Sequence, residues 1–254
     1  MTTLLIATRN AHKVGEIQAI LGAGFVCRSL LAEFPAAPVV VEDADTFAGN
    51  ALKKAQSLSC WLAAFSLQAG LMQGGGSRDR RLAPGAARTF VLADDSGLEV
   101  DALDGAPGVH SARFAAMGSG SDGNSSDTDN NAKLLLLLAN VPREKRTARF
   151  RCVLALVEIC PGRTGLDAPE MFDGACEGWI DFAPRGSGGF GYDPLFIPTG
   201  REQSFAELGE DVKNGLSHRA KALARLREWF GQGGESKQCS VGAERAASPL
   251  DTEQ

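Results

Sequence analysis

The sequence predicts a mixed α/β fold, and three observations support this prediction. Strand-like apolar runs alternate along the chain with segments whose apolar residues recur at helical spacing. The second half contains two long strand-like runs on either side of a turn signal at Pro161-Gly162, which is typical of a β-hairpin. At 254 residues the chain is long enough to bury a large core without disulfides or a structural metal.

The first half of the chain begins with a strand–loop–helix unit. Residues 3–8 form the predicted strand, and the segment 14–21 that follows carries its apolar residues at helical spacing. The next predicted elements are a strand at 25–29, an extended linker at 35–41 and a long helix at 46–65, for which Asp45 or Thr46 is the N-cap. The glycine-rich segment 66–89 then predicts a flexible insertion.

The second half resumes with an apolar strand at 90–93, which ends at the sequence Asp94-Asp95-Ser96-Gly97. The later predicted elements are extended structure at 98–103, a polar loop at 119–129, a helix at 130–138, strands at 149–160 and 171–182, a glycine-rich loop at 184–194, a short strand at 194–197, a turn at 205–208 and a helix at 218–229. The small polar residues of 231–254 predict a disordered tail, so a single folded domain is expected at 1–230.

Composition and charge argue against several classes of protein. The formal net charge is −5 and the sequence has no dense Lys/Arg run, which disfavours nucleic-acid binding but permits a small phosphate-bearing ligand. The six cysteines form no CxxC pair, so a structural zinc site is not expected. No segment has the ~20 apolar residues of a membrane span, and the start of the sequence lacks a signal-peptide pattern. We therefore expect a cytoplasmic protein with free thiols.

Two acidic pairs, Glu42-Asp43 and Asp94-Asp95, are the sharpest chemical feature of the sequence. Asp94 and Asp95 follow an apolar strand, and open α/β sheets place their ligands at the carboxyl ends of strands. Magnesium held together with a polyphosphate needs only one or two carboxylates, and one of the acids can also activate a water molecule. Asp-Asp-Ser-Gly is also a good β-turn sequence, so both interpretations stay open on spacing alone.

Residues 8–13 are a candidate phosphate-binding loop. They lie between the first strand and the first helix, where backbone amides at the helix N-terminus and the charge of Lys13 favour an anion. The glycine-rich Walker pattern is absent. A simple surface turn explains this segment almost as well.

The late glycine-rich segment and the residues after it are candidates for binding a base. Residues 186–191 fit Gly-x-Gly-x-x-Gly, but no helix follows, so we reject a dinucleotide site and expect the glycines to allow close approach of a ligand. Phe190 and Tyr192 can offer faces for stacking, with core packing as the alternative for Phe190. The residues that can bind an anion or read a base are Lys213, His218 and Arg219, although a lone histidine is more often a packed or capping residue.

Six motifs, taken in their order along the chain, resemble those of the inosine/xanthosine triphosphate pyrophosphatases, the Ham1-like family. The likeness covers about residues 1–230. The motifs are Ala7-Thr8-Arg9-Asn10-Ala11-His12-Lys13, Phe47-Ala48-Gly49-Asn50-Ala51-Leu52-Lys53-Lys54-Ala55, Ala93-Asp94-Asp95-Ser96-Gly97-Leu98, Gly105-Ala106-Pro107-Gly108-Val109-His110-Ser111-Ala112-Arg113-Phe114, Gly188-Gly189-Phe190-Gly191-Tyr192-Asp193-Pro194 and Lys213 with Ser217-His218-Arg219.

This resemblance implies an elongated, two-lobed α/β fold around a central substrate cleft, with Mg²⁺ as cofactor and usually a homodimer. The implied activity is hydrolysis of inosine, deoxyinosine and xanthosine triphosphates to the monophosphate and pyrophosphate, which removes them from the nucleotide pool. Asp95 matches the proton acceptor and metal ligand, and Glu42 matches the other metal acid. The implied substrate-binding residues are Thr8, Arg9, Asn10, Ala11, His12, Lys13, Ser96, Phe190, Gly191, Tyr192, Asp193, Lys213, His218 and Arg219.

The sequence departs from this resemblance at two positions. Gly49 stands where a Glu is common in the stretch Phe-x-Glu-Asn-Ala, and Arg9 stands where Gly is frequent. Loss of that Glu removes an acidic group near the metal region, so a nucleotide-binding or sensing protein is the alternative to an enzyme. A pyrophosphatase for modified pyrimidine or standard triphosphates is the third interpretation.

Overall fold

The computed structural model describes residues 1–72, 88–118, 123–159 and 168–234, and these form one mixed six-stranded sheet in the order β2-β1-β3-β4-β5-β6. The parallel part joins β1 (Thr2–Ile6) to β2 (Phe25–Ser29) on one side and to β3 (Thr89–Val100) on the other. The antiparallel part continues through β4 (Thr147–Glu158), β5 (Glu170–Ile180) and β6 (Phe196–Pro198). The predicted mixed α/β fold and the pairing of the two long strands are confirmed; Pro161-Gly162 lies outside the described residues.

The helices cover both faces of the sheet. In chain order they are α1 (Ala11–Leu21), α2 (Leu30–Glu33), α3 (Phe47–Met72), α4 (Asp127–Leu137), α5 (Phe205–Leu208), α6 (Glu210–Leu216) and α7 (His218–Gly231). α3 begins where predicted, with the Thr46 hydroxyl accepting the Gly49 N–H at 3.0 Å, but it continues to Met72 into the predicted insertion. Residues 73–87 of that insertion and the predicted tail from 235 onwards lie outside the described residues. The predicted turn at 205–208 is a helical turn, because Ser204 and Glu207 form a capping box.

β3 passes without interruption through the acidic sequence. Asp94 lies opposite Leu154 and Asp95 opposite Val153 in the pairing with β4. The predicted strand end after Ala93 and the β-turn interpretation are therefore wrong. Pairing along the whole length of β4 outweighs the local turn preference of Asp-Asp-Ser-Gly.

The long strands connect two lobes of the molecule. β3 and β4 have twelve residues each, a span of about 40 Å. At one end, Val91 and Ala93 of β3 pack in a core with α3, while Phe90 and Leu92 pack on the opposite face in a core with α7. At the other end, Leu98 and Val100 pack in a third core with Leu134 of α4. The polar segment 94–97 lies between these cores, at the junction of the two lobes. No helix in the described ranges is long and apolar enough to cross a membrane.

Candidate active site

The pleat of β3 turns its two adjacent acids to opposite faces of the sheet. Asp94 meets Lys13 of α1 and Arg219 of α7, whereas Asp95 meets Lys54 of α3. Both carboxylates are buried. One strand therefore supplies two acidic sites with different surroundings.

Asp94 is the centre of a closed ion-pair network. Its carboxylate accepts hydrogen bonds from Lys13 Nζ at 2.6 Å and Arg219 Nε at 2.8 Å, and the Ser96 hydroxyl bridges the same three groups. Burial opposes the charge of Asp94, but Arg219 and Lys13 together hold its pKa well below the usual value. Asp94 therefore stays ionised and serves as a structural anchor for these two cations.

Asp95 and Glu42 share the ammonium group of Lys54. Lys54 Nζ lies 3.0 Å from Glu42 Oε2 and 3.4 Å from Asp95 Oδ1. The pKa of Asp95 is raised to about 6: burial is the largest cause, Lys54 and Lys13 oppose the rise, and the charge of Glu42 adds to it. Asp95 Oδ2 is buried and has no hydrogen-bond partner among the described residues. A buried acceptor without a partner is costly unless a ligand completes it.

A stretch of the β3 edge that is not paired with a strand lies between the two faces. Leu92 O accepts the Ala7 N–H at 2.8 Å, just past the end of β1. Asp94 O, two residues later, points to the same edge, where Lys54 Nζ donates to it at 2.9 Å in place of a strand. A 3-10 helix, Gly108–Arg113, closes the edge further on, because the Ser111 hydroxyl accepts the Leu98 N–H at 2.9 Å. Between the end of β1 and this 3-10 helix, the β3 edge is therefore paired with no strand among the described residues.

The segment that carries Glu42 is fixed by the first turn of α3. The Asn50 side chain accepts the Ala44 N–H at 3.0 Å and donates to Ala44 O at 3.3 Å. A Cβ at Gly49 would lie 2.8 Å from Ala44 Cβ, so the absent side chain lets the segment fold closely onto the helix. Asn50 thus places Glu42 next to Asp95.

The predicted phosphate loop is built around Asn10, which caps α1. The Asn10 side chain accepts the N–H groups of His12 and Lys13 at 2.9 and 3.3 Å, and the Thr8 hydroxyl accepts the Asn10 N–H. Two of the amides at this helix N-terminus are therefore satisfied within the chain. The cap directs the Lys13 side chain to Asp94 and Ser96.

The glycine-rich loop and α1 enclose a cleft of about 420 Å³. The Phe190 ring lies 6.2 Å from the His12 ring at an angle of 24°, and Lys213 Nζ lies 4.5 Å from the Phe190 centroid. Asp193 accepts hydrogen bonds from the Phe190 N–H at 2.9 Å and from Lys213 at 2.7 Å. Gly189 has φ of 74° and its missing side chain leaves room for the Asp193 carboxylate. The cleft is thus an aromatic and cationic slot beside the Asp94 network.

Comparison with known proteins places this geometry in a family. The model of the Ham1 family matches residues 4–229. This chain belongs to the Ham1 family. Its relatives include the dITP/XTP pyrophosphatase of Geobacillus kaustophilus, which is 46% identical over 229 residues that cover 90% of this chain and 94% of the relative.

Solved structures of family members share the fold. The Staphylococcus aureus Ham1 protein superposes with a TM-score of 0.67 at 30% identity and covers 92% of this chain and 100% of its own. A HAM1 protein from Coxiella burnetii gives 0.67 at 32% identity, with coverage of 91% and 100%. The family resemblance of the six motifs is therefore confirmed.

Five predicted nucleotide-contacting residues of this Ham1-family chain have buried side chains: Tyr192, Asp193, Lys213, His218 and Arg219. Tyr192 is 4% exposed and its hydroxyl donates to Ser111 O at 2.9 Å, so it offers no face for stacking. His218 stacks on Phe150 with 4.9 Å between ring centroids, and burial holds its pKa well below the usual value. Phe190 lines the cleft, so of these aromatic residues its ring is the one placed to contact a ligand there.

Gly191 joins the glycine-rich loop to α4. Asp127 Oδ2 accepts the Gly191 N–H at 2.7 Å, and Asn131 Nδ2 donates to Gly191 O at 2.9 Å. Gly191 has φ of 63°, a conformation that favours glycine. α4 thus fixes the backbone next to Phe190.

Sequence reasoning missed two site residues, Lys54 and Glu16. Lys54 lies on the buried face of α3, and a lysine on an apolar helix face is a signal that could have identified it. Glu16 accepts a hydrogen bond from Arg219 NH1 at 2.7 Å, and its second oxygen is buried without a partner among the described residues. No sequence signal distinguishes Glu16 from the other acids of the chain.

The Asp94 network predicts a large effect of Asp94→Asn on stability. The change leaves Lys13 and Arg219 without their shared carboxylate, and we expect a loss of about 3–5 kcal/mol in the free energy of unfolding in urea. The folded-state pKa of Asp94 lies below the unfolded value, so its contribution is present above about pH 4 and is lost as the pH falls further. The difference between wild type and variant should therefore narrow in acid.

Asp43→Asn is the matched control, because Asp43 also pairs with a lysine, Lys53, but at the exposed surface. We expect its unfolding midpoint to stay at the wild-type value. Equal effects of the two substitutions would contradict the structural role of Asp94.

Proposed function

We propose that this Ham1-family protein is a magnesium-dependent pyrophosphatase that hydrolyses inosine, deoxyinosine and xanthosine triphosphates to the monophosphate and pyrophosphate. The observation that carries the proposal is the meeting of Asp95 and Glu42 at Lys54, across the open β3 edge from Lys13. The names of the curated relatives, dITP/XTP pyrophosphatases, support the same substrate class.

The acids at Lys54 fit a magnesium ion that is held jointly with a substrate. No group of three or more His, Cys, Asp or Glu residues in the described part of the chain forms a complete metal cage. Magnesium with a polyphosphate needs only one or two protein carboxylates, since phosphate and water oxygens complete the octahedron. Asp95 Oδ2 lacks a partner and the Glu42 side chain is 39% exposed, so both have acceptor capacity. When bound, the ion supplies positive charge to the phosphate oxygens.

Asp95 is the base of the proposed reaction. A pKa of about 6 leaves its carboxylate ionised at neutral pH while keeping it basic enough to accept a proton. The water oxygen bonds to the α-phosphorus, Asp95 takes the water proton, and the bond from the α-phosphorus to the bridging oxygen breaks. Pyrophosphate leaves with that electron pair. Lys13 lies at the β3 edge, where it holds the charge of the phosphate chain. Lys213 lies over the Phe190 ring in the cleft and is placed closer to the base.

Glu16 lines the cleft, and together with its buried partner Arg219 it gives the site a means of reading the base. A 6-oxopurine presents an acceptor, O6, next to a donor, N1–H. Arg219 is a donor and the free oxygen of Glu16 is an acceptor, and the two side chains are joined at 2.7 Å. Adenine presents the reverse order, so its N1 would face a carboxylate and its amino group would face a guanidinium. Guanine presents the same O6 and N1–H groups as inosine, so the Glu16–Arg219 pair distinguishes 6-oxopurines as a class from adenine.

We also propose that the folded domain spans residues 1–230 and acts as a homodimer in the cytoplasm, as the family resemblance implies. Light scattering of the purified protein measures the mass of the particle. A monomer at the concentration of the activity assay would contradict the dimer.

The function is tested by the products formed from each triphosphate. Purified protein with magnesium should release pyrophosphate from inosine, deoxyinosine and xanthosine triphosphates far faster than from ATP, as measured by separate pyrophosphate and orthophosphate assays. Tight binding without product would favour a sensor, and comparable rates on pyrimidine or standard triphosphates would favour the third interpretation. Orthophosphate as the first product would place the attack at the γ-phosphate and overturn the mechanism.

Asp95→Asn should lower kcat by about 10²–10⁴-fold, because the amide cannot accept the water proton. Lys54 keeps Glu42 and Asp94 O as partners, so the urea midpoint should not fall. Single-turnover hydrolysis of inosine triphosphate and equilibrium unfolding measure the two effects. Wild-type turnover by this variant would remove Asp95 from the chemistry.

Glu16→Gln should shift base preference toward adenine. The new amide can keep its oxygen on Arg219 and place its NH₂ at the position of the free carboxylate oxygen, where it donates to adenine N1. We expect the ratio of kcat/KM for inosine triphosphate to that for ATP to fall by about tenfold or more. Glu228→Gln, at an exposed position of α7, is the control. An unchanged ratio would show that Glu16 does not read the base.

A further inference from the structure

Arg113 ends the 3-10 helix that closes the far side of the open β3 edge. This helix is held in place from two directions, since Ser111 Oγ accepts the Leu98 N–H at 2.9 Å and Ser111 O accepts the Tyr192 hydroxyl at 2.9 Å. It also packs against Gly97, where a Cβ would lie 2.6 Å from Gly108 O. The position of Arg113 relative to Asp95 is therefore fixed by the strand itself.

The Arg113 side chain points to the acid pair. Its NH2 atom donates to Glu42 O at 3.2 Å, and this is the one hydrogen bond that its side chain makes to the described residues. Arginine carries five N–H donors, and the side chain is half-buried rather than covered. Several donors therefore remain for a ligand next to Glu42.

Arg113 differs from the other cations of the site in its charge balance. Lys13, Lys54, Lys213 and Arg219 each lie within 3.0 Å of a carboxylate oxygen. Arg113 forms no ion pair with any residue that the structure describes. Arg9 also lacks such a pair in the described ranges, but its side chain is exposed and makes no contact with the acids there.

The site residues follow one another in a row that gives the substrate a direction. Glu16 and Arg219 mark the base end, and Asp94 links Arg219 to Lys13 at the β3 edge. Asp95 and Glu42 follow on the other side of the edge, and Arg113 contacts the backbone of Glu42. With the α-phosphorus at Asp95, the β- and γ-phosphates extend toward Arg113.

We propose that Arg113 binds the pyrophosphate portion of the substrate and stabilises it as a leaving group; this inference rests on the proposed function. A guanidinium pairs with two phosphate oxygens at once through its planar fork. As the bond from the α-phosphorus to the bridging oxygen breaks, negative charge moves onto pyrophosphate. Arg113 is the oriented cation of the row whose charge is not already balanced by a carboxylate, so it offsets this new charge most effectively.

Binding of the two products separately tests the proposal. Inorganic pyrophosphate and inosine monophosphate are titrated calorimetrically, with magnesium present, into wild type, Arg113→Ala, Arg113→Lys and the exposed-surface control Arg227→Ala. Arg113→Ala should weaken pyrophosphate binding by about tenfold or more and leave inosine monophosphate binding within about twofold. Arg113→Lys should fall between, because it keeps the charge but loses the fork. Arg227→Ala should match wild type for both ligands.

Several outcomes would overturn the proposal. They are normal pyrophosphate binding by Arg113→Ala, an equal loss for both products, or no pyrophosphate binding by the wild type. If Arg113→Ala does not fold, as judged by thermal unfolding, the selective or equal loss in Arg113→Lys decides the question. The proposed function fails by a different observation, namely that the wild type releases pyrophosphate from none of the triphosphates. If instead Arg113→Ala shows normal turnover and normal binding of both products, only the role of Arg113 is rejected.

Discussion

The open edge of β3 is the constraint on which the site depends. β1 ends while β3 continues, so the backbone carbonyl of Asp94 has no strand to accept from. A buried carbonyl without a partner costs about 1–3 kcal/mol, and the Lys54 ammonium satisfies it. The same ammonium then contacts Glu42 and Asp95. One lysine therefore satisfies the unpaired carbonyl of the sheet and pairs with both acids. This explains why a charged side chain occupies the buried face of α3.

The charges on the two faces of β3 are balanced differently, and this difference supports the proposed position of the magnesium ion. On the face of α1 and α7, two carboxylates, Asp94 and Glu16, balance two cations, Lys13 and Arg219. On the face of α3, two carboxylates, Asp95 and Glu42, share a single ammonium. Arg113 lies nearby but pairs with neither acid, so the ion-paired cluster on the second face has one carboxylate more than it has ammonium groups. Burial, and then the charge of Glu42, raise the pKa of Asp95. The proposed magnesium ion would offset the charge of these two acids, whereas on the first face it would meet two cations that are already paired.

The sequence allowed most of the elements and the motif order to be predicted, and the misses have physical causes. The spacing of apolar residues and the local composition identified the long strands and helices, because buried positions recur at a regular interval along each element. The turn interpretation that the sequence left open for Asp94-Asp95-Ser96-Gly97 is wrong, because pairing with a strand far along the chain decides the conformation of these polar residues. Single-sequence patterns place Glu42, Asp95 and Lys13 as candidates, but they do not show that neighbouring acids face different helices. Glu16 was missed because its importance comes from Arg219, which lies two hundred residues later.

The departure at Gly49 is compensated by contacts elsewhere in the segment. A side chain at this position would meet Ala44 and Thr46, so glycine lets residues 44–46 close over the first turn of α3. Asn50 then holds Ala44 through both backbone groups, and Arg113 holds the carbonyl of Glu42. Glu42 is therefore positioned through its backbone from two sides, independently of a carboxylate at residue 49. Since the acid pair, its lysine and the free oxygen of Asp95 are all in place, the geometry favours an enzyme over a binding protein that has lost its chemistry.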